Sequence, residues 1–229
     1  MSRPEIVVAA NPAAMADEAA ARIAAVITDT VRERGRCSFC LAGGGTPRGI
    51  FEIMAKNDAI PWEGIDFYFG DERCVAPDDK DSNYRMAHES MLGPRKIAAA
   101  QIVRMEADRD DRDAAADDYS AGLPASIDLL LLGMGPDGHT ASLFPGHAAM
   151  NERERLVVPV KGPKPPPWRL TITVPVIEAA RNTFVLSHGE GKAAMIARAI
   201  DGEVDLNDCP IQAALGGVWF LDEGSASKL

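Results

Sequence analysis

One stretch of the chain combines residue types that could move protons: Gly133-Met134-Gly135-Pro136-Asp137-Gly138-His139-Thr140-Ala141-Ser142-Leu143-Phe144-Pro145-Gly146. It continues an apolar run, Ile127-Asp128-Leu129-Leu130-Leu131-Leu132, and displays a carboxylate and an imidazole two residues apart in a glycine-rich loop. His139 is the side chain there that can both take and give a proton near neutral pH. Asp137 stands where it could fix the imidazole tautomer or support its charged form. A histidine packed in a core would do neither, but one in a loop at the end of a buried strand is a candidate for catalysis.

Three other segments could grip an anion. Gly43-Gly44-Gly45-Thr46-Pro47 joins an apolar stretch to a helix start, where glycines let backbone N–H groups approach closely and the helix dipole favours negative charge. It matches neither usual nucleotide loop: Arg48 stands where a dinucleotide fingerprint wants glycine, and Gly49-Ile50-Phe51 replaces the Gly-Lys-Ser/Thr ending of a Walker loop. Gly70-Asp71-Glu72-Arg73 puts three charges after another apolar run, with Asp81-Ser82-Asn83 as a helix-start signal beyond it. Such charges read equally as a solvated turn. Arg169, opening a strand after a proline-rich loop, and Lys192, after the glycine-flanked Ser187-His188-Gly189-Glu190-Gly191, supply cations of the kind a phosphate needs.

These segments fall at the ends of predicted strands. The expected strands are 5–10, 38–42, 65–69, 127–133, 156–160, 169–174, 183–187 and 218–221. Helices are expected over 15–34, 47–55, 82–91, 110–121 and 192–200. This alternation implies one α/β domain over 1–229, a largely parallel sheet with helices packed on it. In such sheets ligands bind outside the carboxyl ends of the strands. The loops after Ala42, Phe69 and Leu132 therefore converge on one candidate site. Lys161-Gly162-Pro163-Lys164-Pro165-Pro166-Pro167 reads as a stiff surface loop.

The 229 residues are 46% hydrophobic and 25% charged, which is ordinary globular composition. With 24 Lys+Arg against 34 Asp+Glu the formal charge is -10, and no basic stripe is visible, so no nucleic-acid partner is expected. No run approaches the roughly 18 apolar residues of a membrane helix. Met1-Ser2-Arg3-Pro4 leads straight into Glu5-Ile6-Val7-Val8, so no leader is expected and the location expected is cytoplasmic. Cys37 and Cys40 have metal or redox spacing, but on one strand residues three apart face opposite ways, and no second pair completes a zinc site.

On these motifs, from the Gly43–Pro47 loop through Gly70-Asp71-Glu72-Arg73, Ser82-Asn83 and Gly133–Gly146 to Arg169-Leu170-Thr171 and Gly191-Lys192, the chain resembles the 6-phosphogluconolactonase family. The Gly135–Gly146 stretch is the specific part. The resemblance implies a Rossmann-like α/β fold, shared with glucosamine-6-phosphate deaminases. It implies hydrolysis of 6-phospho-D-glucono-1,5-lactone to 6-phosphogluconate in the oxidative pentose phosphate pathway. It places the general base on His139, with Asp137 beside it, and phosphate recognition on Gly44, Gly45, Thr46 and the cations Arg73, Arg169 and Lys192. Asp71 is expected at the substrate, as a group that positions an arginine. Gly45 stands where many relatives have serine, which shifts the contact toward backbone N–H groups and Thr46. Neither cofactor nor metal is implied, and the assembly expected is a monomer or weak homodimer.

Three rival readings remain at this stage. An aldose–ketose isomerase or deaminase would share Asp71 and the Asp137–His139 pair, but its catalytic glutamate would fall on Phe144, which cannot relay protons. A non-catalytic sugar-phosphate sensor would want a DNA-binding segment ahead of Glu5 and leaves Asp137 and His139 without a task. Metal-assisted hydrolysis through Asp71, Asp137 and His139 lacks a clear further ligand in His147 or His188. No Gly-x-Ser-x-Gly elbow offers a serine nucleophile.

Overall fold

The computed structural model describes residues 3–229. Met1 and Ser2, the start of the segment expected to lack a leader, lie outside the described residues. Strand β1 (Glu5–Ala9) leads to helix α1 (Pro12–Arg34), which starts earlier than its apolar periodicity because Asn11 caps it and Pro12 fits its first turn. Helix α1 buries Met15, Ala19, Ile23 and Ile27, one stripe at helical spacing, and ends on Gly35 at φ 80°. Strand β2 (Cys37–Leu41) is buried at all five residues. Cys37 and Cys40 are core residues with free thiols, and burial pushes the Cys37 thiol up to about 12. Helix α2 (Gly45–Met54) begins two residues before Pro47, inside the glycine loop itself.

After β3 (Ile65–Phe69) the chain departs from expectation. The charged segment is a strand, β4 (Asp71–Arg73), with Asp71 and Glu72 buried rather than solvated. Helix α3 (Asn83–Ala87), capped by Ser82, continues as one π-helical turn over His88–Leu92. Helix α4 (Arg112–Gly122) and strand β5 (Leu129–Gly133) follow. Asp128 is left just outside β5, where its carboxylate accepts from the Ser38 N–H (2.9 Å) and hydroxyl (2.8 Å) and pairs with Arg34 at 2.8 Å. Strands β6 (Val157–Lys161) and β7 (Trp168–Ile172) form a hairpin around the proline-rich loop. Helix α5 (Val174–Ala179), strand β8 (Thr183–Ser187), helix α6 (Ala193–Asp201), strand β9 (Val218–Asp222) and helix α7 (Glu223–Ala226) complete the chain.

Six strands form one fully parallel sheet in the order β1-β9-β8-β5-β2-β3. The expected strands around 156–160 and 169–174 do not join it. They pair with β4 in a separate antiparallel sheet, ordered β4-β7-β6. A hairpin seven residues apart at its ends has no room for the crossover a parallel pair requires. Gly70 is the junction: its N–H donates to Leu41 of the large sheet and its carbonyl accepts from Ile172 of the small one, both at 2.9 Å.

The strand order fixes where a ligand can bind. From β2 the chain moves outward to β3, whereas β5 leads the other way, to β8 and β9. Right-handed crossovers running in opposite directions put their helices on opposite faces. The adjacent strands β2 and β5 therefore bound a topological switch point, with a crevice open at their carboxyl ends.

Candidate active site

The crevice is a cleft of about 240 Å³. Gly44, Gly45 and Thr46 line one side, Gly133, Gly135 and His139 another, and Asp71, Arg73, Arg169 and Lys192 the remainder. Every residue expected from sequence to act at the site is on this surface except Asp137, which contacts His139 Nδ1.

The glycine loop opens directly into a helix start. Gly44 adopts φ 101° as the residue before α2, a conformation that favours glycine. The first-turn N–H groups of α2 have no partner within the helix and Pro47 has none to offer, so donors concentrate on the residues before it. Gly43 has a different constraint: a Cβ there would stand 2.1 Å from the Asn83 amide oxygen.

The opposite loop is organised around His139. Its Nδ1 contacts Asp137 Oδ1. Burial alone would raise the Asp137 carboxyl, but the hydrogen bond and charge of His139 outweigh it and hold that carboxyl below its ordinary value. Gly135 donates its N–H to the His139 carbonyl (2.9 Å), and the Thr140 hydroxyl donates to the Gly133 carbonyl (2.9 Å). The imidazole packs over Gly135 so closely that a Cβ would meet it at 2.1 Å. Its ring lies 5.0 Å from that of Phe144, which is buried and also lies 5.7 Å below the Arg169 guanidinium. The imidazole is thus a cleft-lining group held at one nitrogen, not a core residue.

Three cations face the cleft without a carboxylate of their own among the described residues. Arg73 donates Nη1 to the Asp81 carbonyl (2.6 Å), and its buried Nε has no hydrogen-bond partner among the described residues. Arg169 sits opposite it across the β4–β7 ladder and donates Nε to the Pro166 carbonyl at 3.3 Å. Burial lowers the Arg169 pKa, Asp71 partly offsets this, and the charge of Arg73 adds to the lowering. Burial likewise lowers Lys192, with Asp222 opposing. Desolvated cations in register across a strand pair are an arrangement that an anionic ligand stabilises.

Four buried residues that hold these loops, Glu72, Asn83, Ser142 and Thr171, lie within the quoted motifs but were given no role from sequence. Glu72 accepts from the N–H groups of Arg73 (2.7 Å), Asn83 (2.7 Å) and Tyr84 (2.8 Å) and from the Ser82 hydroxyl (3.0 Å). Asp71 accepts from Ser142 (2.6 Å) and Asn83 (3.0 Å), and Thr171 accepts from the Ser142 N–H (3.1 Å). Asn83 and Ser142 lay within motifs already noted, but their partners lie on distant segments that no local pattern reveals. Among the described residues, no three His, Cys, Asp or Glu side chains gather closely enough to hold a metal ion. None of the described helices is long and apolar enough to cross a membrane.

Fold and cleft together define a doubly wound α/β protein in which a glycine loop at a helix start shares a cleft with a carboxylate-held imidazole. The family model described as glucosamine-6-phosphate isomerases/6-phosphogluconolactonase matches residues 10–219, and the chain belongs to that family. It is 37% identical to a 6-phosphogluconolactonase of Streptomyces coelicolor, covering 99% of this chain and 95% of that one. It is also 37% identical to a 6-phosphogluconolactonase of Rattus norvegicus, over 86% and 82% of the respective chains. The solved structure of 6-phosphogluconolactonase from Trypanosoma brucei superposes with a TM-score of 0.89 at 28% identity, covering 100% of both chains. A monomeric glucosamine-6-phosphate deaminase shares the fold, with a TM-score of 0.85 at 20% identity.

Proposed function

We propose that this chain hydrolyses 6-phospho-D-glucono-1,5-lactone to 6-phospho-D-gluconate, the second step of the oxidative pentose phosphate pathway, with His139 as general base. The observation that carries the reading is the placement of the His139–Asp137 pair in the same cleft as the Gly44–Thr46 cradle and the cations Arg73, Arg169 and Lys192.

Asp137 at Nδ1 fixes the tautomer that leaves Nε2 as the basic nitrogen. Nε2 takes a proton from water as the water oxygen attacks the C1 carbonyl. The tetrahedral oxyanion is held by loop N–H groups or a neighbouring cation. The C1–ring-oxygen bond then breaks, and the imidazolium returns its proton to that oxygen, giving the hydroxy acid. The phosphate sits at the start of α2, on Gly44, Gly45 and Thr46, within reach of the three cations, and Asp71 faces the sugar. Phe144 is 5% exposed and packed between His139 and Arg169. A residue without an ionisable group there supports ester hydrolysis over the proton relay of an isomerase.

Acid release from freshly prepared lactone, with and without the 6-phosphate, tests the reading. Enzyme-dependent release that is faster with the phosphorylated lactone is the expected result. Failure to accelerate opening of either lactone would overturn it, and turnover of glucosamine 6-phosphate instead would favour the deaminase.

A further inference from the structure

The loop that presents His139 makes its turn through Ala141, whose φ of 46° lies in the left-handed region that an alanine rarely adopts. Such a conformation persists only where its neighbours hold it. The next residue, Ser142, is fully buried, donates its N–H to the Thr171 hydroxyl (3.1 Å) and its own hydroxyl to Asp71 Oδ2 (2.6 Å). The other Asp71 oxygen accepts from the Asn83 amide at 3.0 Å, and the same amide donates to the Asp71 carbonyl at 2.8 Å. The Asn83 amide in turn covers Gly43 so tightly that no Cβ fits there.

Asp71 is therefore the node of a buried chain of contacts. One of its oxygens accepts from Ser142 in the loop of the base, and the other accepts from Asn83, whose amide packs against Gly43 of the glycine loop. Asp71 is 7% exposed and Asn83 2% exposed, so each donor satisfies a carboxylate that would be costly to bury alone. Each Asp71 oxygen accepts from a protein donor, so the carboxylate is tied at both ends to neighbouring segments.

We propose that Asp71 is a positioning residue whose carboxylate, through Ser142 and Asn83, fixes the His139 loop and the glycine loop relative to one another across the cleft. The proposal rests on the lactonase reading above and gives Asp71 a role distinct from proton transfer.

The test is a double-mutant cycle of Asp71→Asn and Ser142→Ala, read by kcat and KM on the phosphorylated lactone over a range of pH. Amide exchange of segments 139–143 and 43–46 is followed in the unliganded proteins. Each single variant is expected to lower kcat by about ten- to a hundredfold, as misplacement of a base does, with a much smaller change in KM. The double variant is expected to be no slower than the slower single one, because Ser142 acts only through Asp71. The pH at half-maximal kcat is expected not to move, and exchange in 139–143 quickens alike in both singles.

Loss of turnover in Asp71→Asn beside a normal Ser142→Ala would mean that the carboxylate acts on substrate itself, and would overturn the proposal. So would independent, multiplying losses, or unchanged exchange. A wild-type protein without lactonase activity would sink the lactonase reading alone, and the exchange comparison would still decide the brace. If Asp71→Asn does not fold, Asn83→Ala and Ser142→Ala supply the same exchange readout on either side of the node.

Discussion

At the scale of single residues, two side chains separate chemistry from binding. His139→Ala should leave the fold intact, since the ring packs on a glycine and lines a cleft, and should lower kcat by about 10²–10⁴-fold, the usual worth of a general base. Circular dichroism and turnover measured on one preparation check this, and a folded variant with undiminished kcat would remove His139 from the mechanism. Lys192 has the opposite profile. Burial holds its folded pKa below that of the unfolded chain, with Asp222 opposing. Between those two values the unfolded state carries the extra proton, so stability rises with pH through that window and is missing below it. Burial thus disfavours the ammonium form in the free protein, and an anion placed beside it would offset that cost. Lys192→Met is expected to keep or raise the melting temperature of the free protein while raising KM by about ten- to a hundredfold, the range for a charge-assisted hydrogen bond. A lower melting temperature with unchanged KM would place Lys192 in the fold instead of at the phosphate.

At the scale of elements, the small antiparallel sheet carries Asp71, Arg73 and Arg169 into the cleft and depends on one carboxylate. Glu72 on β4 takes four donors, three from backbone N–H groups, and so ties the strand to the start of α3. Glu72→Leu would leave those donors buried and unpaired, at about 1–3 kcal/mol each where water cannot reach them. The expected loss is about 3–5 kcal/mol, or a melting temperature lower by about 10 °C for a chain of this size. Thermal unfolding followed by calorimetry reads it, and a shift under about 2 °C would show that the donors find other partners. The same strand shows where sequence legibility ends. Strands β2, β3, β5 and β8 lie close to their expected bounds because strands covered on both faces appear locally as apolar runs. His139, Asp137 and the Gly44–Thr46 loop were legible because glycine-rich loops at strand ends announce themselves. Strand β4 was not: it is three charged residues paired with a strand some hundred residues further on, so neither periodicity nor composition marks it. The burial of Asp71 and Glu72 was not legible, and a solvated turn stayed open for them, because their donors, Ser142 and Asn83, come from other segments. Burial of a charge is a tertiary fact, and sequence shows only that the charge exists.

At the scale of the whole molecule, a formal charge of -10 surrounds a cleft that holds Arg73, Arg169 and Lys192. An approaching phosphorylated lactone is also an anion, so it meets repulsion at long range and attraction only near the rim. The balance depends on screening, because the Debye length falls from about 30 Å at 0.01 M salt to about 8 Å at 0.15 M. Over that range the far field of the surface is lost first, while the desolvated cations inside the cleft are screened least. The value of kcat/KM is therefore expected to rise as salt is raised toward 0.15 M, and to fall only when salt anions compete for the cradle at higher concentration. An enzyme that draws its anion in by a basic surface field shows the reverse slope from the start. Initial rates at substrate well below KM across this range distinguish the two, and a steady decline from the lowest salt would mean that the three cations govern the field beyond the mouth of the cleft.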